Sequence, residues 1–244
     1  NWNAAGSRNG TRCLYIPPTG PFPTGNQSYV DADTNALDFM YDGLHSGPDG
    51  GGISFTMWAN ASMTGDFLAQ WPGIFGVWDA AGNEQVEVPC PSRLGTSPEG
   101  NGSGYVNGQV GFFKKVTTPD AAVGASRPWL DFGGRWNHWA FVKSPSSMAI
   151  YNNGRLIAHT DANGLEGDPN VNVYGALFPM PVGRLKIGTR GDNWAMWSGK
   201  IDDFKVYDYA LSPEEVAYEA SDGTGKLLLP LSPAANLNSS GNPA

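Results

Sequence analysis

One segment of the sequence places an indole ring beside polar groups of the kind that bind sugar hydroxyls. Trp194 follows Arg190, Asp192 and Asn193 within four positions. An indole presents a flat apolar face to the C–H groups of a pyranose, and guanidinium, carboxylate and amide groups hydrogen-bond to its hydroxyls. We therefore predict a glycan-binding platform in which Trp194 stacks on a sugar ring and its three neighbours bind the hydroxyls. The alternative is that Trp194 is buried and closes one end of the core.

A second segment repeats the combination of indole and guanidinium. Trp129 lies two residues after Arg127, in a long connection without regular periodicity. The chain has nine tryptophans, which is more than an ordinary core uses, so some of them are available to a ligand. We predict that Trp129 and Arg127 join the platform of Trp194 if the fold brings the two segments together.

Closely spaced aspartates offer oxygen ligands to a hard cation. Asp31 and Asp33 lie on either side of Ala32, and Asp202 and Asp203 are adjacent. Calcium takes about six to eight oxygens from carboxylates and loop carbonyls. These aspartates are our candidate ligands for a structural Ca²⁺, although neighbouring strand residues point to opposite faces, so only one of the second pair can face a given site. The alternative is that the first pair is solvated in a turn and one of the second bonds a neighbouring loop.

Catalytic motifs are missing from the sequence. It contains no G-x-S-x-G, no H-E-x-x-H, no Gly-rich phosphate loop, and no E-x-D-x-x-E strand of the kind that carries the carboxylates of some glycosidases. We therefore predict no catalytic residues and a non-catalytic protein. The alternative, a polysaccharide-cleaving enzyme, requires a carboxylate pair or a His–Tyr pair assembled from distant strands, and the chain has three histidines, His45, His138 and His159.

The balance of charge limits the partners. The chain has 15 basic and 23 acidic residues and a net charge of −8. Such a surface repels phosphate backbones and anionic lipids, so we expect neither nucleic acid nor membrane partners. No apolar run has the length needed to span a bilayer. A neutral polysaccharide or glycan fits this surface better.

Features at the chain ends and the cysteine count suggest an exported protein. Cys13 and Cys90 are the two cysteines; in an oxidising compartment they would form one disulfide, and the alternative is two separate thiols. The chain begins at Asn1 and ends in a segment rich in Pro, Ser and Asn. We expect a secreted or cell-surface location and other domains in a longer protein.

Alternating apolar and polar residues predict mostly strands. In residues 53–60, Ile53, Phe55 and Met57 share one face. The other predicted strands are 36–40, 74–78, 84–88, 109–115, 135–143, 148–151, 155–159, 185–187 and 201–207. Asn153-Gly154 predicts a hairpin turn, and Ser212-Pro213-Glu214-Glu215 predicts a capped helix of one or two turns. Irregular structure is predicted for residues 1–30 and for the long connections 89–107, 117–127 and 161–181.

The order of these motifs resembles that of a laminin-G-like (concanavalin A-like) jelly roll. The matching residues are Gly199, Ile201, Asp202 and Asp203 of a G-x-I-D-D strand, Ala210 to Glu215 of an A-L-S-x-E-E turn, and Trp136, His138 and Ala140 of a W-x-H-x-A strand. The resemblance implies an all-β, two-sheet antiparallel jelly-roll sandwich and a Ca²⁺ at its edge. It also implies that Trp58, Trp136, Trp139 and Trp197 are core residues, whereas Trp194 lies in a variable loop.

The resemblance also suggests the division of the chain and its role. We predict an N-terminal arm packed on the sandwich at 1–35, the jelly roll at 36–220, and a C-terminal strand and linker at 221–244. The predicted function is a non-catalytic carbohydrate-binding module of a secreted multidomain protein. The alternatives are an adhesion or protein-interaction module and a glycoside hydrolase or lyase on the same fold.

Overall fold

The computed structural model describes residues 2–3, 8, 12–17, 30–32, 52–61, 73–78, 84–89, 92–93, 107–114, 121–128, 134–144, 147–161, 164–165, 184–190 and 195–221. In these residues the chain forms seventeen strands and one helix, α1 (Pro213–Ala220). The strands are β1 (Trp2–Asn3), β2 (Cys13–Ile16), β3 (Val30–Ala32), β4 (Ile53–Ala61), β5 (Gly73–Trp78), β6 (Glu84–Pro89), β7 (Ser92–Arg93), β8 (Asn107–Lys114), β9 (Ala121–Pro128), β10 (Asn137–Lys143), β11 (Ser147–Asn152), β12 (Arg155–Asp161), β13 (Gly164–Leu165), β14 (Arg184–Ile187), β15 (Thr189–Arg190), β16 (Ala195–Met196) and β17 (Gly199–Tyr207).

The strands form two sheets. In sheet A the order is β1-β2-β17-β4-β10-β11-β12-β13, and every recorded pair is antiparallel. In sheet B the order is β15-β16-β5-β6-β8-β7, with β14 paired to β3 and β5, and β9 paired to β8. The contact between β16 and β5 is parallel, and the other recorded pairs in sheet B are antiparallel. The predicted all-β, two-sheet sandwich is confirmed.

The main core lies between the sheets and is rich in aromatic rings. Phe75 of sheet B contacts three rings of sheet A, with centroid distances of 4.7 Å to Phe55, 5.8 Å to Phe141 and 5.3 Å to Phe204. Trp139 and Trp197 are each 1% exposed and belong to this core, as the sequence predicts. The other two tryptophans predicted as core, Trp58 and Trp136, are only half-buried. Trp58 alternates with the inward-facing Met57 and Ala59, so it lies on the outer face of sheet A.

The predicted hairpin turn and the helix cap are both confirmed. Asn153 and Gly154 have φ values of 50° and 76°, the left-handed pair that a tight two-residue hairpin requires. At the start of α1, the Ser212 hydroxyl accepts a hydrogen bond from the Glu215 N–H at 3.2 Å, and the Ser212 N–H donates to the Glu215 carboxylate at 2.8 Å. These bonds satisfy N–H groups that the helix leaves without intrahelical partners.

Helix α1 covers one half of the outer face of sheet A. Leu211 and Val216 pack there against outward-facing side chains of β10 and β11, forming a second buried cluster. A buried polar link holds the entry of the helix: Ser54 of β4 accepts from the Leu211 N–H and donates to the Tyr209 carbonyl, both at 2.9 Å. In the described part of the chain, no helix is long and apolar enough to cross a bilayer.

A β-bulge interrupts strand β17. Asp202 pairs with Trp58 and Lys205 with Thr56, so three steps along β17 match two along β4. Asp203 adopts a left-handed φ of 49° at this point. The inserted residue shifts the alternation, so that Ile201, Phe204 and Val206 all pack on the main core. The predicted strict period of two through residues 201–207 is therefore wrong beyond Asp202.

Several segments predicted as irregular form strands. The longest are residues 13–16, which form β2 and pair with β17, and residues 121–128, which form β9 and pair along β8. The short strands β1, β7 and β13 also lie in segments predicted as irregular. The two longest differences have the same physical origin, because neither segment shows the apolar–polar alternation of a half-buried strand. The predicted strand at 36–40 lies outside the described residues.

Candidate functional site

The segment that bears Trp194 connects two paired strands. Thr189 is directly opposite Met196, and Arg190 is directly opposite Ala195, in the antiparallel pair β15–β16. The predicted ligand residues Asp192, Asn193 and Trp194, and the side chain of Arg190, lie outside the described residues. The strand pair brings the two ends of the segment together at one edge of sheet B.

The base of this hairpin is fixed to the main core. Gly188, with φ 95°, donates its N–H to the Ile74 carbonyl at 2.6 Å, and its own carbonyl accepts from the Trp197 N–H at 3.0 Å. Thr189 is fully buried, and Trp197 is 1% exposed. The two ends of the segment, at Arg190 and Ala195, are therefore anchored to sheet B, and binding residues are often carried by segments that a rigid scaffold positions in this way.

Arg127 lies at the other edge of sheet B. Arg127 of β9 is opposite Gly108 of β8, and β9 pairs along the whole length of β8. Strands β6 and β7 therefore pair with the other edge of β8. Four strands, β16, β5, β6 and β8, therefore lie between β15 and β9. At about 4.8 Å per step, the separation across the sheet is about 24 Å. The backbone positions of Arg190 and Arg127 are therefore not brought together around one sugar ring; Trp129 and the Arg127 side chain lie outside the described residues.

The candidate calcium ligands are divided between the two sheets. Asp31 lies on β3 of sheet B, with its carboxylate 4.0 Å from the Arg184 guanidinium and 44% of its side chain exposed. Asp202 and Asp203 lie on β17 of sheet A. Asp33 lies outside the described residues. Among the side chains that are described, no three His, Cys, Asp or Glu groups gather closely enough to hold a metal ion.

Asp203 is bound to a residue that the sequence analysis did not identify. Arg8 donates from Nη2 to Asp203 Oδ2 at 2.7 Å, and its guanidinium carbon lies 4.1 Å from the centroid of the Trp58 ring. No local pattern in the sequence indicates this contact, because Arg8 and Asp203 are 195 positions apart. We call Arg8, Trp58, Asp202 and Asp203 the arginine cluster.

Asp202 has an unusual environment in the arginine cluster. Its Oδ1 accepts the Asp203 N–H at 3.0 Å. Burial and the negative charge of Asp203 raise the pKa of Asp202, while Arg8 opposes the rise. Asp203 already binds Arg8, so its carboxylate is occupied by a cation of this chain. As described, this pair fits a guanidinium better than a calcium ion.

His138 lies beside Trp58 of the arginine cluster, on the neighbouring strand of sheet A. It lies opposite Trp58 in β10–β4, is 2% exposed, and contacts the Trp58 ring edge-on at a centroid distance of 5.4 Å. Its backbone exchanges two 2.8 Å hydrogen bonds with Asn153. The imidazole is thus packed in the sheet, as the resemblance implies. His159 is exposed on β12, and His45 lies outside the described residues.

The sequence matches one family over most of its length. The model of the concanavalin A-like lectin/glucanases superfamily matches residues 25–217. No curated protein sequence is significantly similar to the chain.

Solved structures with this fold include proteins that bind glycans and proteins that bind other proteins. The CBM40 of the Ruminococcus gnavus IT-sialidase, bound to α2,3-sialyllactose, is 12% identical with a TM-score of 0.55, over 85% of this chain and 96% of that one. The binding domain of botulinum neurotoxin DC, in complex with rat synaptotagmin II, is 12% identical with a TM-score of 0.55, over 100% of this chain and 48% of that one. The chain thus spans about half the length of the neurotoxin domain. A heptameric SAP-like pentraxin from Limulus polyphemus is 16% identical with a TM-score of 0.50, over 87% and 82%.

Proposed function

Because the chain belongs to the concanavalin A-like lectin/glucanases superfamily, we propose that it is a non-catalytic module that binds carbohydrate. The observation that carries the proposal is the β15–β16 hairpin, whose base is fixed to the core and whose connection contains Trp194 with Asp192 and Asn193. A fixed base reduces the entropy lost on binding, which favours a platform at this position over one on a free loop.

In the proposed mechanism, the Trp194 indole stacks on one face of a sugar ring. Arg190, Asp192 and Asn193 bind the hydroxyls at the edge of that ring, the arginine through its paired N–H donors. Arg127, whose backbone lies about 24 Å away across sheet B, and Trp129, two residues after it in the sequence, would contact only a separate part of a longer glycan. The ligand is therefore a polysaccharide or glycan that is bound mainly at one end of the sheet.

A role in protein interaction is the second candidate. The neurotoxin binding domain with this fold is in complex with synaptotagmin II, whereas the R. gnavus CBM40 is bound to sialyllactose. At these identities the likeness carries the fold alone, and one fold supports many functions. The aromatic and polar composition of the hairpin connection favours the glycan, since a protein-binding tip would be flatter and more apolar.

We also propose a structural Ca²⁺, with Asp31 and Asp33 as its ligands. Asp31 is exposed and close to the start of the jelly roll, and carboxylates with loop carbonyls are the donors that calcium prefers. Asp202 and Asp203 fit less well, because Arg8 binds Asp203 at 2.7 Å, a closer ion pair than the 4.0 Å contact of Asp31 with Arg184. The module is further proposed to be secreted or exposed on a cell surface, as part of a larger protein.

The decisive test of glycan binding is a glycan array that includes sialylated and neutral oligosaccharides, probed with Trp194→Ala. We expect binding to fall at least about fivefold, since an aromatic anchor contributes more than about 1 kcal/mol to an interface. Tyr218→Ala, at an aromatic side chain that is 46% exposed on α1, is the matched control and should bind as the wild type does. An unchanged affinity in a folded Trp194→Ala protein would contradict the proposal. Release of products from any polysaccharide would favour the enzyme alternative.

Calcium is tested separately through stability. We expect Ca²⁺ to raise the Tm of the wild-type protein relative to EDTA, because an ion that binds only the folded state stabilises it. The increase should be lost in Asp31→Asn and retained in Asp202→Asn. A wild-type Tm that is the same in Ca²⁺ and in EDTA removes the ion from the proposal without affecting the glycan platform.

A further inference from the structure

The turn between β11 and β12 is tied to the neighbouring strand β10 through the side chain of Asn153. The Asn153 Oδ1 atom accepts a hydrogen bond from the His138 N–H at 2.8 Å, and the Nδ2 atom donates to Asn137 Oδ1 at 2.9 Å. The Asn153 N–H also donates to the His138 carbonyl at 2.8 Å. Both polar atoms of this carboxamide are therefore engaged, although Asn153 is exposed at the tip of the hairpin.

A second carboxamide continues this chain of hydrogen bonds into the sheet. Asn137 is 2% exposed, and its Nδ2 atom donates to the Arg135 carbonyl at 3.2 Å. The chain of bonds thus begins at a backbone donor, the His138 N–H, and ends at a backbone acceptor, the Arg135 carbonyl. Because an N–H only donates and a carbonyl only accepts, these two groups fix the orientation of both carboxamides. We call Asn137 and Asn153 the amide relay.

The amide relay requires a carboxamide at position 153 and is broken by a carboxylate. An ionised aspartate has acceptors only. One of its oxygens would still accept from the His138 N–H, but the other would face Asn137 Oδ1. Rotating the Asn137 carboxamide by half a turn would present its NH2 group to the aspartate, but would place its Oδ1 against the Arg135 carbonyl. One pair of acceptors stays in conflict beside a buried side chain, which is destabilising.

The sequence Asn153-Gly154 can itself convert this amide to a carboxylate. The Gly154 nitrogen attacks Cγ of Asn153, the Cγ–Nδ2 bond breaks, and ammonia leaves with the proton of the backbone nitrogen. Water then opens the cyclic imide: attack at Cγ gives aspartate, and attack at the main-chain carbonyl carbon gives isoaspartate, which has one more carbon in the backbone. Glycine hinders the cyclisation least, because it has no Cβ.

The native turn opposes this reaction. Cyclisation requires Cγ of Asn153 to reach the Gly154 nitrogen, whereas hydrogen bonds on both polar atoms hold the carboxamide toward β10. The turn also has little room for the longer backbone of isoaspartate, since a Cβ atom at position 154 would lie 3.2 Å from Ala217 Cα and 3.3 Å from Ala220 Cβ of α1. Local opening of the hairpin would remove both restraints.

We propose that Asn153-Gly154 is a deamidation site that the fold keeps closed. It reacts when the β11–β12 hairpin opens, and the product cannot rebuild the amide relay. Chemical change in the open state makes unfolding irreversible, so the age of the protein is recorded at this turn. The site lies on sheet A, and the proposal is independent of the glycan platform proposed on sheet B.

Peptide mapping tests the proposal on the wild-type protein. The protein is incubated in buffer and in urea above the unfolding midpoint, at the same mildly alkaline pH, and the tryptic peptide 144–155 is followed by mass spectrometry. In the folded protein we expect Asn153 to react at least about tenfold more slowly than in urea, since only the open state reacts. In urea it should react about as fast as the other Asn–Gly pairs, which begin at Asn9, Asn101, Asn107 and Asn163. Equal rates at Asn153 in the two states would overturn the proposal.

Asn137→Ala tests the amide relay. The substitution removes the acceptor of Asn153 Nδ2, so deamidation of the folded protein should become about two- to tenfold faster. Val88→Ala, at a fully buried residue in the core face of sheet B, is the matched control. It lowers the stability of the whole fold without touching the relay, and should deamidate at the wild-type rate in buffer. Equal acceleration in the two variants would overturn the proposal, because deamidation would then follow global unfolding alone.

Asn153→Asp tests the deamidated product, and does so even if Asn137→Ala does not fold. At pH 7, where the aspartate is ionised, we expect the ratio of folded to unfolded protein to fall at least about fivefold. Asn152→Asp is the matched control, at the neighbouring residue whose carboxamide contacts in the described residues are 3.4 Å long, and should lower the ratio less. Urea denaturation measures both ratios. An Asn153→Asp protein as stable as Asn152→Asp would overturn the proposal.

Discussion

Two parts of the outer face of sheet A are covered in different ways. Over β10 and β11, Val216 of α1 and Leu211 just before it are buried in the second cluster. Over β4 and β17, Arg8 lies on Trp58 and bonds Asp203. Burial of apolar surface is insensitive to salt, whereas the contact of a cation with a carboxylate is screened by it. The same sheet therefore has one cover held by apolar burial and one held by a stacked guanidinium and an ion pair.

The polar groups beneath the two covers have different hydrogen-bond partners. Next to α1, the Ser54 hydroxyl donates one hydrogen bond and accepts another. At the start of the helix, Ser212 and Glu215 each accept a hydrogen bond from the backbone N–H of the other. Burial and hydrogen bonding to Glu219 raise the pKa of Tyr207, so this hydroxyl stays neutral in the physiological range. Under Arg8, Asp202 Oδ2 is buried without a donor in the described residues. Thr56 Oγ1, which lies between Ser54 and Trp58 on the same face, is also buried without a partner in the described residues, so neither cover satisfies every polar group beneath it.

The largest effect is expected from breaking the helix cover. Leu211 is 4% exposed in the second cluster, so Leu211→Ala removes buried methyl groups and leaves a cavity. The free energy of unfolding should fall by about 2–5 kcal/mol, measured by urea denaturation, with little change in 1 M NaCl. Leu156→Ala, at a leucine that is 51% exposed on β12, is the control and should change stability by less than about 0.5 kcal/mol. Equal losses in the two variants would contradict the assignment of this cluster as a buried cover.

A smaller effect is expected from breaking the arginine cover. Arg8→Ala removes the contact with Trp58 and the bond to Asp203, whose side chain is 47% exposed, so the ion pair itself contributes little. We expect a loss of about 1–2 kcal/mol, chiefly from the stacked guanidinium. In 1 M NaCl this loss should shrink by the small contribution of the half-exposed ion pair, whereas the loss in Leu211→Ala should not shrink. A loss that does not depend on salt would remove the distinction between the covers.

The smallest effect concerns the charge on Asp202. Its folded-state pKa is raised above 3.8, chiefly by burial. The stabilising contribution of Asp202 to the free energy of unfolding is therefore fully present below pH 3.8. It is lost as the pH rises through the raised pKa. Asp202→Asn, which stays neutral, should be slightly more stable than wild type at pH 7, and this gain should shrink toward pH 4. The midpoints of urea denaturation at pH 7 and pH 4 test this prediction, with Asp208→Asn, at an exposed residue beyond β17, as the control. An Asp202→Asn protein that is less stable than wild type at pH 7 would contradict it.

The features that sequence reasoning predicted correctly are encoded locally. The Asn153-Gly154 turn requires two left-handed residues in succession, and the Ser212–Glu215 cap requires two side chains three positions apart. Strand β4 was predicted because its core face repeats every second residue. Each signal lies within a few residues of the structure that it specifies.

The features that were missed depend on distant residues. Strand β9 contains mostly small residues, so its place in sheet B is fixed by pairing with β8 rather than by its own pattern. The bulge at Asp203 exists only relative to β4. For the candidate site, the sequence identified Asp203 by its spacing, but its partner Arg8 is 195 positions away and lies in a segment without periodicity. The prediction of Trp194 as a ligand residue stays a prediction.

The bulge in β17 has a consequence for comparing this chain with its distant relatives. Because one extra residue sits between Asp202 and Lys205, side chains after it occupy the face opposite to the one that counting by twos would assign. A relative without the bulge would need one residue fewer at this point to keep Phe204 and Val206 inside. An alignment that runs through β17 without a gap would then match inward residues with outward ones, and would disguise a shared core as unrelated sequence.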